Sequence, residues 1–182
     1  MAAPGREERA WIRGAQSGSA SALEALFRAH WPRAHRAAYL VVHDSAAAED
    51  IAQEAFLAAV RSLDRFDRRR PFGPWLHRIV VNRAIDWARA RALRRETSSP
   101  QFGEWDEDTE ENARRGNPLP EDVVGVLQSL SPEHRAVIVL RYLLEYTPGE
   151  IADLLELPRG TVNSRLRRGL DRMEEIIDRR GP

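Results

Sequence analysis

The stretch Thr147–Met173, TPGEIADLLELPRGTVNSRLRRGLDRM, decides how the rest of the chain is read. It opens on Thr147-Pro148-Gly149-Glu150, a helix start signal. Thr147 can cap free backbone N–H groups, Pro148 suits the first helical position, and Glu150 can reach back to complete a capping box. Ile151, Leu154 and Leu155 then give one apolar face to a helix of about two turns. Leu157-Pro158-Arg159-Gly160 breaks the pattern, because proline removes a donor and glycine relaxes the backbone. The second helix begins either with Pro158 as its first residue or on Gly160-Thr161. Val162, Leu166 and Leu170 recur at i, i+4, i+8 on its inner face, and Asn163, Ser164, Arg167, Arg168 and Arg172 occupy the outer face. Two short helices, a tight turn and an Arg/Asn/Ser face are the parts of a helix-turn-helix, whose second helix enters the major groove of DNA. An ordinary helical hairpin with a solvated basic face shares this pattern, so the remainder of the chain must decide.

The 182 residues suffice for one domain or two small ones. The net charge of zero conceals a partition. Residues 1–95 hold 17 Arg against 10 acids, residues 96–122 hold 2 Arg against 9 acids, and residues 123–182 hold 9 of each. A basic first half is offset by an acidic middle, and local charge is what steers a polyanion. All 28 basic residues are Arg, whose planar fork suits phosphate and guanine edges, although a total lack of Lys points to codon bias. With no Cys, a disulfide framework and a thiolate metal site are excluded. The five His show no ligand spacing with a carboxylate partner, so neither metal nor cofactor is expected. No apolar run approaches the ~20 residues of a membrane helix, and the N-terminus lacks a signal-peptide stretch. A cytoplasmic protein without membrane insertion is expected.

Helical periodicity runs through both halves and period-two alternation is absent, which predicts an all-α fold. Residues 1–10 read as a mobile tail. Helices are expected over Trp11–Gln16, over Ala20–Val42 with a break or kink at Pro32, over Ala46–Leu63, and over Trp75–Arg95. Phe66–Gly73 is expected to be a loop because of Pro71 and Gly73. Residues 96–120 are acidic, rich in Ser, Pro, Gly and Asn, and read as a flexible linker, with Phe102 and Trp105 as unusual aromatics within it. Helical pattern resumes over 121–178, with Val123, Val126, Leu127 and Leu130 on one helix and Val137, Ile138, Leu140, Tyr142 and Leu143 on the next. The organisation is therefore two small helical domains, 11–95 and 121–178, joined by an acidic linker.

No nucleophile elbow, phosphate-binding glycine loop or HExxH motif occurs, so an enzyme is not expected. Two other surfaces stand out. On Ala46–Leu63, Ala52, Phe56, Ala59 and Leu63 share one side, and Asp50, Glu54 and Arg61 share the other. Gln53, Leu57 and Val60 lie near that outer side. Carboxylates beside exposed aliphatics fit a protein-docking face, and a loosely patterned amphipathic helix fits equally well. On Trp75–Arg95, Leu76, Val80 and Trp87 should be core, while Arg78, Asn82 and Arg89 share the opposite face. Arg68-Arg69-Arg70-Pro71-Phe72 precedes them. Arg on a backbone track with aromatic walls suits single-stranded nucleic acid.

Three stretches together resemble the extracytoplasmic-function group of bacterial RNA polymerase sigma factors, within the sigma-70 family. They are Asp50–Phe56 running on to Leu63–Phe66, Phe72–Asn82, and Leu130–Arg135 with the Thr147–Met173 hairpin. The resemblance covers roughly residues 11–95 and 121–178. It implies a protein that directs core RNA polymerase to promoters by reading the minus-thirty-five duplex and melting the minus-ten element. It implies that Asp50, Gln53 and Glu54, with Leu57 and Val60 beside them, dock on the clamp coiled coil of the polymerase, and that the second domain meets its flap. One of Arg68, Arg69 and Arg70, with Phe72, would hold a flipped base, and Asn82 with Arg78 and Arg89 would follow the non-template strand. Asn163, Ser164, Arg167 and Arg168, with Thr161 at the helix start, would read the upstream element. Arg159 and Arg165 would meet phosphates. Promoter DNA and an anti-sigma factor complete the implied partners. A dimeric helix-turn-helix regulator is the alternative, but it has no need of the Arg68–Asn82 cluster.

Overall fold

The computed structural model describes residues 5–97 and 121–180, and among these every regular element is helical. The expected linker beyond Thr97, with Phe102 and Trp105, lies outside the described residues. In chain order the helices are α1 (Arg6–Gln16), α2 (Ala20–Val42), α3 (Ser45–Ser62), α4 (Phe72–Thr97), α5 (Glu121–Gln128), α6 (Pro132–Ile138), α7 (Pro148–Leu155) and α8 (Arg159–Arg180). A single 3-10 turn, Leu63–Arg65, follows α3, and a π-helical turn, Val139–Leu143, extends α6.

The first unit is α1 to α4. Its centre is alanine-rich: Ala34, Ala37, Ala38, Ala48, Ala52, Ala55, Ala59 and Ala84 are all fully buried. Small side chains let α2, α3 and α4 approach closely, and Leu26, Leu40, Leu76, Val80 and Val81 fill the remaining volume. Asp44 caps α3 by accepting the Ala47 N–H at 3.0 Å, and Ser19 caps α2 by accepting from Ala22. α1 begins at Arg6, so the second half of the expected mobile tail, residues 6–10, is helical. Its charged residues face water while Ile12 is fully buried, and His30 meets Glu8 of α1 at 3.0 Å. Gln16 donates to the carbonyls of Leu63 (2.8 Å) and Phe66 (3.1 Å), tying α1 to the end of α3.

Two expected breaks are absent. α2 runs unbroken through Pro32, because the burial of one face along the whole of α2 outweighs the hydrogen bond that Pro32 cannot donate. α4 begins at Phe72 and passes through Pro74, which lies in the first turn, where backbone N–H groups have no intrahelical partner in any case. The loop is therefore shorter than expected, ending at Pro71. α4 also extends to Thr97, into the start of the expected linker.

The second unit, α5 to α8, is built on the opening hairpin. Thr147 and Glu150 form the capping box: Thr147 accepts the Glu150 N–H at 3.3 Å and Glu150 accepts the Thr147 N–H at 2.9 Å. α7 ends with Glu156 in the left-handed region at φ 54°, a position where glycine would be unstrained. α8 starts at Arg159, and the Pro158 carbonyl accepts the N–H groups of Thr161 and Val162. Pro158 thus stands just before the helix. Val162 and Leu166 are buried as expected, but Leu170 is 40% exposed, because the buried position on that turn is Gly169.

The two units touch. α4 and α2 pack on α6, α2 also packs on its π turn, and α4 also meets α7. Arg135 is buried at this junction and donates to the carbonyls of Leu127, Gln128 and Leu130 within its own unit, and to that of Val41 across the junction. Burial draws its guanidinium down to about 10, so it stays charged at neutral pH. His77 and Tyr146 join the units by a 2.7 Å hydrogen bond between Nδ1 and the phenol oxygen.

Candidate nucleic-acid interface

The α3 surface follows from its capped start and its buried alanine side. With Ile51, Ala52, Ala55, Phe56 and Ala59 buried, the helical repeat sends Asp50, Gln53, Glu54, Leu57 and Val60 outward. Leu57 is 54% and Val60 39% exposed, an unusual position for two aliphatics on a helix that has core to spare. Glu54 is held by Arg83 of α4 at 2.6 Å, and Gln53 donates to Glu49 at 3.2 Å. Arg83 was not singled out from the sequence, because no spacing rule links it to a helix twenty-nine residues earlier.

The Arg68–Arg70 loop is shaped by a residue that the sequence reading passed over. Asp67 accepts the Arg69 N–H at 3.0 Å, and its own carbonyl accepts the Arg70 N–H at 2.9 Å, making a tight aspartate-led turn. The Arg69 backbone bond, with the charges of Arg69 and Arg70, keeps the Asp67 carboxyl below its ordinary range. All three arginines are exposed. Phe72 is not. At 2% exposure it lies in an aromatic core with Phe66, Trp75 and His30, at centroid separations of 5.9, 5.5 and 5.1 Å. The wall it was expected to offer a base is therefore withheld here, because starting α4 at Phe72 turns that side chain inward. Trp75, half-buried and tilted against Phe66 at a centroid separation of 4.6 Å, lines a cleft of about 470 Å³ with Arg65, Arg70 and Arg78. The other wall of the cleft is Glu150, Asp153 and Leu154 of α7.

Arg78, Asn82 and Arg89 do share a face of α4, as the periodicity requires, but that face looks onto the second unit. Arg78 pairs with Glu156 at 2.6 Å, and Arg89 pairs with Glu133 at 2.5 Å. Burial alone would raise the Glu133 carboxyl; the Arg89 contacts and nearby hydrogen bonds outweigh it and hold the group below its usual range. Asn82, between the two arginines, is exposed. Arg91 has a structural place: it pairs with Asp44 at 2.5 Å and lies 5.0 Å over the Trp87 ring.

α8 presents the third surface. Val162 and Leu166 anchor it, which turns Arg159, Asn163, Ser164, Arg167 and Arg168 to solvent, with Thr161 and Arg165 half-buried at the margin. Ser164 donates to the Thr161 carbonyl at 2.9 Å, and Arg167 approaches Asp171 at 3.9 Å along the same helix. No cluster of candidate metal ligands occurs among the described residues, and no helix among them is long and apolar enough to cross a membrane.

A pair of helical units, one with an arginine-lined helix-turn-helix and one with an arginine face beside an aromatic cleft, is the build of a protein that meets DNA at two places. Residues 26–94 match the Sigma-70 region 2 family, and residues 121–173 match the Sigma-70, region 4 family. The chain is 32% identical over 168 residues to RNA polymerase sigma factor CarQ of Myxococcus xanthus, covering 89% of this chain and 92% of that one. It is 34% identical over 140 residues to ECF RNA polymerase sigma factor SigW of Bacillus subtilis, covering 71% and 75%. The solved structure of CnrH in complex with the cytosolic domain of CnrY superimposes with a TM-score of 0.70 at 29% identity, over 94% of this chain and 97% of that one. The chain belongs to the extracytoplasmic-function sigma factors of the sigma-70 family. It is a transcription-initiation factor that brings RNA polymerase to promoters, and the reading as a dimeric operator-binding regulator gives way to this. Proteins of this family are generally not enzymes.

Proposed function

We propose a division of labour among the three surfaces. Asp50, Gln53, Glu54, Leu57 and Val60 of α3 dock on the clamp coiled coil of core polymerase. Arg68, Arg69 and Arg70, with Arg78, Asn82 and Arg89, follow the melted minus-ten strand, and Trp75 replaces Phe72 as the aromatic wall beside it. Asn163, Ser164, Arg167 and Arg168 read the upstream duplex, with Arg159, Thr161 and Arg165 on its backbone. Residues 11–95 and 121–178 act as the two functional units, in the cytoplasm, without catalytic chemistry of their own. Melting then draws on phosphate contacts and base stacking, at about 1–3 kcal/mol per stacked base. An anti-sigma factor is the natural antagonist. The likeness to CnrH, whose structure was solved with the cytosolic domain of CnrY, supports a protein partner of that kind.

The observation that carries this division is the α3 face. Leu57 and Val60 are 54% and 39% exposed beside Asp50 and Glu54, which neither core packing nor DNA binding explains. Run-off transcription with purified core polymerase and a promoter library tests it. Added wild-type chain should direct initiation, and Asp50→Arg should lose most of that activity with duplex binding intact. Equal initiation and equal polymerase capture by Asp50→Arg would reject the docking face.

A further inference from the structure

The margin of the α8 face carries a titratable side chain from α6. α6 crosses α8 so closely at Gly169 that a Cβ there would stand 3.2 Å from Cγ1 of Ile138 and 3.7 Å from Cβ of His134. Arg165 lies one turn before Gly169 on the same side of α8, and Arg168 immediately precedes it. Both guanidinium charges are felt at the His134 ring. That ring is half-buried and is held by its own helix start: Nδ1 lies 2.9 Å from the Ser131 hydroxyl, which also accepts the His134 backbone N–H at 3.4 Å. A hydroxyl can donate to a bare ring nitrogen or accept from a protonated one, so the ring can take up a proton without losing this bond. Glu133, the neighbouring carboxylate, is engaged by Arg89 of α4 at 2.5 Å. The other four histidines, at 30, 35, 43 and 77, all belong to the first unit.

We infer that His134 completes a phosphate seat with Arg165 and Arg168 beside the duplex reader, and that its imidazolium form engages the backbone of the upstream DNA. This rests on the assignment of Arg165 to that backbone and of Arg168 to the reading face. In the free chain, burial first and then the charge of Arg165 hold the ring below its ordinary 6.5, with Glu133 opposing and Arg168 adding to the effect. A phosphate drawn in by the two arginines offsets their field at the ring and attracts the imidazolium. The ring therefore titrates at a higher pH in the complex than in the free chain. Between those two values the complex binds the extra proton, so duplex affinity rises as pH falls. Well above them the ring is neutral in both states and adds nothing. A charged ring also turns its second N–H into a charge-assisted donor for a phosphate oxygen. Because the contact is with the backbone, it strengthens binding to any duplex and leaves base preference unchanged.

The test measures binding of the full chain to a fluorescein-labelled duplex of mixed sequence, read by anisotropy at low ionic strength between about pH 8 and about pH 6. His134→Gln keeps a hydrogen-bonding side chain that cannot take a charge, and it leaves the histidines of the first unit in place. Wild type and His134→Gln should bind alike at the upper end. At the lower end wild type should bind at least about three-fold more tightly. In nuclear magnetic resonance of ring-labelled histidines, the signal that His134→Gln removes should titrate at a higher pH with duplex than without it. Parallel pH profiles for the two chains, or a His134 titration that duplex does not raise, would overturn the inference. Arg165→Ala/Arg168→Ala separates the two claims. If it weakens duplex binding throughout while the profiles of wild type and His134→Gln stay parallel, the α8 assignment stands and the His134 contact is wrong. If it binds as wild type does at every pH, the assignment fails and the inference falls with it.

Discussion

The arginine faces of α8 and α4 have the same chemistry and opposite availability. On α8, Arg167 is 83% accessible and its nearest carboxylate, Asp171 at 3.9 Å, lies one turn away on the same helix. On α4, Arg78 and Arg89 meet carboxylates of another unit at 2.6 and 2.5 Å. The residue types on a helix face therefore tell what it can bind, while its tertiary neighbours decide when. On the proposed assignment, the α8 face is exposed to an upstream duplex in the chain as it stands. On the proposed assignment of Arg78 and Arg89 to the melted strand, that strand would compete with Glu156 and Glu133 for the same guanidinium groups.

Breaking the junction should give the largest effect. Arg135→Ala removes a buried cation and leaves the carbonyls of Leu127, Gln128, Leu130 and Val41 without their donor. A loss of about 3 kcal/mol or more is expected in urea unfolding, with the α4 face exposed as a consequence. A change below about 1 kcal/mol would mean that the junction does not depend on it. The open face gives the next effect: Arg167→Ala should lower discrimination at the upstream element by about 1–3 kcal/mol, measured by competition between promoter variants, whereas Arg78→Ala should leave that preference unchanged. Equal base preference in Arg167→Ala would remove it from the reading set.

Acid should loosen the covered face in preference to the open one. His77 is lowered to about 3 by burial, then by the charges of His30 and Arg33, and His43 to about 3 by burial, then by Arg135. Both rings are neutral in the folded chain and titrate near 6.5 when unfolded. Between those values the unfolded state binds more protons. The stability they contribute is whole above pH 6.5 and is lost as pH falls towards 3, by up to about 1.4 kcal/mol per pH unit for each ring. His77→Asn, which keeps a donor near Tyr146, should flatten the fall in urea midpoint between pH 6.5 and 5. An unchanged slope would place the proton uptake elsewhere.

Most of the fold was legible because its signals are local. The capping box at Thr147, the cap at Asp44 and the alanine side of α3 are each written within a few residues, and each is present. Pro32 and Gly73 misled for a physical reason: each is unfavourable in a helix by itself, and whether that matters depends on burial around α2 and on position within the first turn of α4. The outward face of α3 and the arginines of α8 follow from helical repeat alone. The covering of Arg78 and Arg89 could not be read, since Glu133 and Glu156 lie 44 and 78 residues further along the chain. Nor could Arg135, whose charge marks it for the surface until four carbonyls are brought around it. Glu156 adds a further reason: its left-handed backbone is a position that sequence rules reserve for glycine.

The lack of Cys allows a direct measurement of whether the α4 face is covered in the free chain and uncovered on polymerase. Ser62 and Asp153 line opposite walls of the interdomain cleft, and Ser62→Cys/Asp153→Cys would place two spin labels across it. Double electron–electron resonance should give one short distance in the free chain and a longer one once core polymerase is bound. The same distance in both states would contradict the account.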